Sequence, residues 1–188
     1  MKKCLRPWLI LLAFSATVSV ASAQTPDPTS LANQKMWLGR AAQGNADAQF
    51  WLGTGYEQGW FGPPNFSEAL KWLRKSAQQG NADAENCLGQ MYENGEGVTQ
   101  NYAMAANWYL KAAEHVPDYG GAGQGRNNLA MLYLDGRGVP QDYVRAYMWF
   151  KLTNYAGNLS IASSNMTREQ ILEAERLAAE WKRQHTQP

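Results

Sequence analysis

Cysteine and histidine are scarce in this chain, with two of each in 188 residues. Cys4 and Cys87 are far apart, and neither His115 nor His185 has a cysteine or carboxylate at metal-ligand spacing. A disulfide framework and a zinc site are therefore not expected, and no metal or cofactor is called for. Charge of one sign is lacking too. The formal net charge is +1, without the basic footprint of a nucleic-acid binder. Beyond Val20 no run is apolar for the ~20 residues that a spanning helix needs. Catalytic signatures are missing as well: there is no H-E-x-x-H, no G-x-S-x-G and no phosphate loop at a strand-to-helix turn. Gly120 to Gly125 is glycine-rich, but no strand pattern leads into it.

Repetition is what the chain has instead. Gly44-Asn45-Ala46-Asp47-Ala48 returns 36 residues later as Gly80-Asn81-Ala82-Asp83-Ala84. Leu52-Gly53-x-x-Tyr56 returns as Leu88-Gly89-x-x-Tyr92, and Ala69-x-x-Trp72 as Ala105-x-x-Trp108. A third copy carries Leu129-Ala130-x-x-Tyr133, Gly136-Arg137-Gly138-Val139 and Ala146-x-x-Trp149. Tyr92 to Tyr133 spans 41 residues, so roughly five extra residues separate copies two and three. A fixed period of this size is the signature of a stacked array.

Each copy reads as two helices. Ala84, Leu88 and Tyr92 lie on one face of the first. Gly89 removes a side chain beside that face and admits a close neighbour. Gly95 falls where the first helix should end in a left-handed cap, and Gly97-Val98 makes the turn. Asn101 is placed to cap the second helix, in register with Asn65 and Asp142. Asn65-x-x-Glu68 has the form of a capping box. Ala105, Trp108 and Ala112 give the second helix its buried stripe, with Trp108 its largest member. Gly80 and Gly157 are expected to end second helices.

The pattern A-x-x-x-L-G-x-x-Y-x-x-G-x-G-V, followed by A-x-x-W-x-x-x-A-A, resembles the Sel-one-like repeat (SLR) family, a relative of the tetratricopeptide repeats. The resemblance covers about Met36 to Gly157. It implies an all-α, right-handed α/α solenoid of about three helix pairs with capping helices at both ends, and a binding role rather than an enzymatic one. Two departures stand out: Gly59-Trp60-Phe61-Gly62-Pro63-Pro64 rebuilds the turn of copy one, and Asn154 stands where Ala77 and Ala113 stand earlier.

Four segments follow from this reading. Residues 1–23 form a signal peptide, with Lys2, Lys3 and Arg6 ahead of the apolar run Leu9 to Val20 and an Ala21-Ser22-Ala23 cleavage site. A membrane anchor is the alternative, for which the run is short. Cleavage near Ala23 would place the mature chain in the periplasm or outside the cell, with no membrane insertion. Loss of the three basic residues would move the net charge from +1 to −2. It would also leave Cys87 without an internal partner, as a small core residue. Residues 24–35 form a flexible leader, 36–157 the solenoid, and 158–188 a C-terminal capping helix and tail. Asn33 to Gln43 resembles the second helix of an incomplete leading repeat. Leu159 to Asn165 is small and polar, a fourth repeat that begins and fails. Thr167-x-x-Gln170 opens the closing helix, whose apolar stripe is Ile171, Ala174, Ala178 and Trp181. Val116 to Gly123, with Pro117, is the inserted loop. It is either a tolerated surface insertion or an arm on which Tyr119 touches a partner.

In tetratricopeptide-like stacks the first helices line the concave side. By register that face is Asp47, Phe50, Thr54, Glu57 and Gln58 in copy one. Copy two supplies Asp83, Asn86, Gln90, Glu93 and Asn94, and copy three Gln124, Asn127, Met131, Leu134 and Asp135. These side chains are acidic and amide-rich at one end and more apolar at the other, suited to a basic, amide-bearing protein partner. An ordinary solvated helix face is the bland alternative. Three functions fit. The first is a monomeric exported adaptor or scaffold. The second is an immunity protein that neutralises a toxic effector, such as one delivered by type VI secretion. The third is an enzyme, or a binder of cell-wall glycan using Trp60 and Phe61.

Overall fold

The structure, a computed structural model, describes residues 31–116, 120–153 and 156–185. The segment read as a signal peptide, most of the one read as a leader, Asn154 and Tyr119 lie outside the described residues. Nine helices and no strand occur among the described residues. They are α1 (Leu31–Ala42), α2 (Ala46–Gln58), α3 (Phe66–Ala77), α4 (Ala82–Asn94), α5 (Tyr102–Ala113), α6 (Gly121–Asp135), α7 (Tyr143–Lys151), α8 (Ala156–Ser163) and α9 (Arg168–His185). The pairs α2–α3, α4–α5 and α6–α7 are the three copies. Each second helix also packs on the first helix of the next copy, α3 on α4 and α5 on α6, and α1 stands before α2 in the same way. This is the all-α solenoid of helix pairs that the register predicts.

The caps explain why the helices begin and stop where they do. Asn65, Asn101 and Asp142 accept from the main-chain N–H three residues on, at 3.1, 2.9 and 2.9 Å. Asn45 and Asn81 do the same for the first helices of copies one and two, at 2.8 and 2.9 Å. Each satisfies an orphan donor of its first turn. Gly59, Gly95 and Gly136 close the first helices with φ of 74°, 74° and 68°, a conformation that costs other residues more. Gln100 and Gln141, at matching positions, each donate to a last-turn carbonyl, of Glu93 and Leu134, at 2.8 Å.

The core forms three clusters in succession along the stack. Leu52, Leu73, Leu88, Tyr109, Leu132 and Phe150 are fully enclosed. Gly89 does what its place suggests: a Cβ there would run into the Tyr109 ring. The stripe of α5 is centred on Tyr109, which is 0% exposed, and not on Trp108, which is half-buried with Lys111 over its indole at 4.3 Å. Cys87 is buried beside Leu88, as expected of a small core residue.

The ends differ from expectation in detail. α1 begins at Leu31, so it takes in the last part of the segment read as leader. α7 stops at Lys151, and Gly157 lies in the first turn of α8 rather than ending a second helix. The small, polar stretch after it is helical, with Ala162 fully buried. The Thr167–Gln170 capping box forms, its two bonds 2.9 and 3.3 Å long. Ala174 and Ala178 bury α9 against α7. In copy one, Phe61 replaces the glycine-valine turn, folding under Gly55 and meeting Tyr56 edge-on at 5.4 Å.

Candidate functional site

First helices of successive copies are tied by a chain of amides. Asn81 donates to Asp47 at 3.0 Å, and Gln79 to Gln49 at 2.7 Å, joining copies one and two. Asn86 is 1% exposed and sits between copies two and three: it donates to Gln124 at 3.1 Å and accepts from Asn128 at 2.9 Å. Asn158 of α8 donates to Asn127 at 2.6 Å. A buried amide is tolerable only when so paired.

Beside this chain α4, α6 and α8 flank an open cavity of about 320 Å³. Gln90, Glu93, Asn94, Asn127 and Met131 line it, all residues that the register places on the first-helix face. Asn128, Tyr109, Arg137 and Asn158 complete it and escape the sequence reading. Tyr109 belongs to the second-helix stripe, and Asn158 follows the glycine read as a helix end. Arg137 leaves one visible signal: it stands where the matching turn of copy two has Glu96.

Glu93 organises the cavity wall. Its Oε2 accepts from the Tyr109 hydroxyl at 2.6 Å, and its Oε1 from Arg137 at 3.1 Å. Burial, and then the Glu93 charge, push the Tyr109 phenol far above its ordinary ionisation range, so it remains a donor. Arg137 also pairs with Asp135 at 3.0 Å and lies over the Tyr102 ring at 5.2 Å. The glutamate is thus neutralised within the protein. Asn127 commits Oδ1 to Asn158, and Asn128 commits Nδ2 to Asn86. A donor of one and an acceptor of the other remain for a ligand among the described residues. The cavity can bind polar groups; no group of three or more metal-ligating side chains occurs among the described residues.

The other register-predicted residues are placed variously. Phe50, Thr54, Glu57 and Asn86 are buried and form no open surface. Phe50 belongs to the core with Ala69 and Leu70, because α2 turns that side toward α3. Asp47 is exposed, and Gln58, Asp83, Gln124 and Leu134 are half-buried. Asp135 is exposed at the rim, and its charge is taken by Arg137.

Helix pairs stacked in register, with a polar cavity walled by their first helices, define an α/α repeat scaffold. The Sel1 repeat family model matches residues 46–81, 82–115 and 123–158, one match for each helix pair. The chain belongs to the Sel1 repeat family. It is similar to c5321, a protective antigen present in uropathogenic Escherichia coli strains that displays an SLR fold: 29% identity, TM-score 0.72, over 81% of this chain and 33% of that one. It is also similar to a Sel1 repeat protein from Oxalobacter formigenes: 31% identity, TM-score 0.62, over 79% of this chain and 62% of that one. The chain therefore spans less than two thirds of either solved relative. No curated protein matches it. No helix among the described residues is long and apolar enough to cross a membrane.

Proposed function

We propose that this chain is an exported adaptor that holds a partner protein on its first-helix face and catalyses no reaction. The observation that carries the reading is the cavity between α4, α6 and α8, whose wall pairs its own charges and leaves amide groups for a ligand. Sel1 repeats are generally protein–protein interaction modules, in keeping with this use. Because Arg137 neutralises Glu93, attraction of a basic partner falls to exposed carboxylates such as Asp47. The centre of the site favours main-chain or side-chain amides, with Met131 as the apolar contact. The signal-peptide pattern of residues 1–23 supports a periplasmic or secreted location.

Affinity capture from a periplasmic extract tests the reading, using the full chain and an N94A/N127A/M131A variant. A protein retained by the first and lost by the second supports it. Equal capture by both would move binding to another surface. A captured toxic hydrolase would make the adaptor an inhibitor.

A further inference from the structure

First and second helices differ in the charges they carry, although Glu57 and Glu85 are buried and Glu93 is paired with Arg137. α2 and α4 hold Asp47, Glu57, Asp83, Glu85 and Glu93, with no lysine or arginine. α1, α3 and α5 hold Lys35, Arg40, Lys71, Arg74, Lys75 and Lys111, with Glu68 their one carboxylate. The formal net charge of +1 conceals this division.

The 36-residue register shows that these cations share one surface. Positions 35, 71 and 107 form one column, 38, 74 and 110 a second, and 39, 75 and 111 a third. All nine residues are exposed. Spacings of three and four put the three columns on one side of each helix. Reading along the stack, that side presents Lys35, Leu38 and Gly39, then Lys71, Arg74 and Lys75, then Asn107, Leu110 and Lys111. Lys75 and Lys111 lie over the indoles of Trp72 and Trp108, at 4.7 and 4.3 Å. Glu68 pairs with Lys71 at 3.0 Å, and Glu114 follows α5 at the edge. An exposed pair of this kind neutralises little.

Leucine breaks the cationic column. Leu38 and Leu110 are each 37% exposed, one on either side of Arg74 in the same column, and Met104 of α5 is exposed to the same degree. None of the large exposed apolar side chains lies on α2, α4 or α6. A soluble polyanion would be bound by the cations alone and has no use for the leucines. Cations with apolar side chains and indoles between them are the composition of a face that lies in a lipid head-group layer.

We propose that the outer face of α1, α3 and α5 adsorbs peripherally onto an anionic lipid surface. Lys71, Arg74, Lys75 and Lys111 meet the head-group phosphates, and Leu38 and Leu110 reach the acyl boundary. The first-helix face then points away from the lipid and stays open. Nothing inserts as a spanning segment.

Co-sedimentation with vesicles tests this, using phosphatidylcholine alone and phosphatidylcholine mixed with phosphatidylglycerol. The full chain should sediment with the mixed vesicles only, and high salt should release it. A K71Q/R74Q/K75Q/K111Q variant should bind at least about tenfold less, since each cation near an anionic surface contributes. An L38S/L110S variant should lose vesicle binding several-fold and keep its retention on heparin unchanged. All six positions are exposed, so both variants should stay folded, with a modest fall in melting temperature from the lost leucine packing and cation–indole contacts. Failure of the full chain to bind mixed vesicles would overturn the proposal, as would undiminished binding by the four-fold variant. Heparin retention without vesicle binding would also overturn it and assign the face to a soluble acidic partner.

Discussion

The Tyr109 hydroxyl donates to Glu93 Oε2 at 2.6 Å from a ring that is 0% exposed. One end of this side chain is core and the other is cavity wall. Tyr109→Phe should keep the fold and cost about 1.5–3 kcal/mol, the range for a hydrogen bond to a charged group. Tyr109→Ala should cost roughly 3–5 kcal/mol, as other enclosed aromatics do. Trp108→Ala should cost less than Tyr109→Ala, because its ring is only half-buried. Urea unfolding of the three variants gives the order.

Gly89 is the counterpart of Tyr109 on α4. Gly89→Ala should destabilise by about 1–3 kcal/mol, the usual range for overpacking, since its Cβ would enter the Tyr109 ring. In the Tyr109→Ala background the same change should cost much less, as a double-mutant cycle would show.

Arg126 is the largest fully buried side chain. It donates to the carbonyls of Ala113 at 2.9 Å, His115 at 2.6 Å and Leu152 at 3.4 Å, and lies 4.5 Å from the Trp181 ring. It thus ties the ends of α5 and α7 together under α9, where helix dipoles favour a cation. Arg126→Met should lower stability by more than about 3 kcal/mol, because each buried carbonyl left unpaired costs about 1–3 kcal/mol. Arg126→Lys should recover only part of this loss, since an ammonium group has no planar fork. Thermal melts of both variants check it.

Glu85 sets a pH dependence. Burial raises its pKa from the ordinary 4.5, and His115, whose Nε2 lies 2.9 Å away, and Lys111 pull it back only in part; Glu114 adds to the rise. A carboxyl raised in the folded state binds its proton more tightly there than in the unfolded chain. Its contribution is fully present below 4.5 and is lost as pH rises through the folded value. Glu85→Gln should flatten the stability profile above 4.5, measured against the parent by urea midpoint at each pH. An identical profile in the two proteins would remove Glu85 as its source.

The solenoid was legible in the sequence because each copy repeats its cap, turn and stripe residues, and local chemistry fixes all three. Asn65, Asn101 and Asp142 cap as their spacing implies. The site was legible only in part. Register placed Gln90, Glu93, Asn94, Asn127 and Met131 on one face, and they line the same cavity. It could not show that Phe50 and Asn86 turn inward at matching places, since that depends on how α2 and α4 rotate against their neighbours. Nor could it show that Arg137, from a turn 44 residues away, neutralises Glu93. For that reason reversing Glu93 to lysine would not probe surface charge alone. It would strand Tyr109 and Arg137, and the fold would suffer with the binding.

In the proposed adaptor role the cavity between α4, α6 and α8 binds a protein. Calorimetric titration of the captured partner into the full chain and into N94A/N127A/M131A measures it most directly, with melting temperatures recorded alongside. An affinity loss of at least tenfold, about 1.4 kcal/mol, is expected, beside a small fall in melting temperature from loss of the Asn158–Asn127 bond. Equal affinities for the two proteins would contradict it.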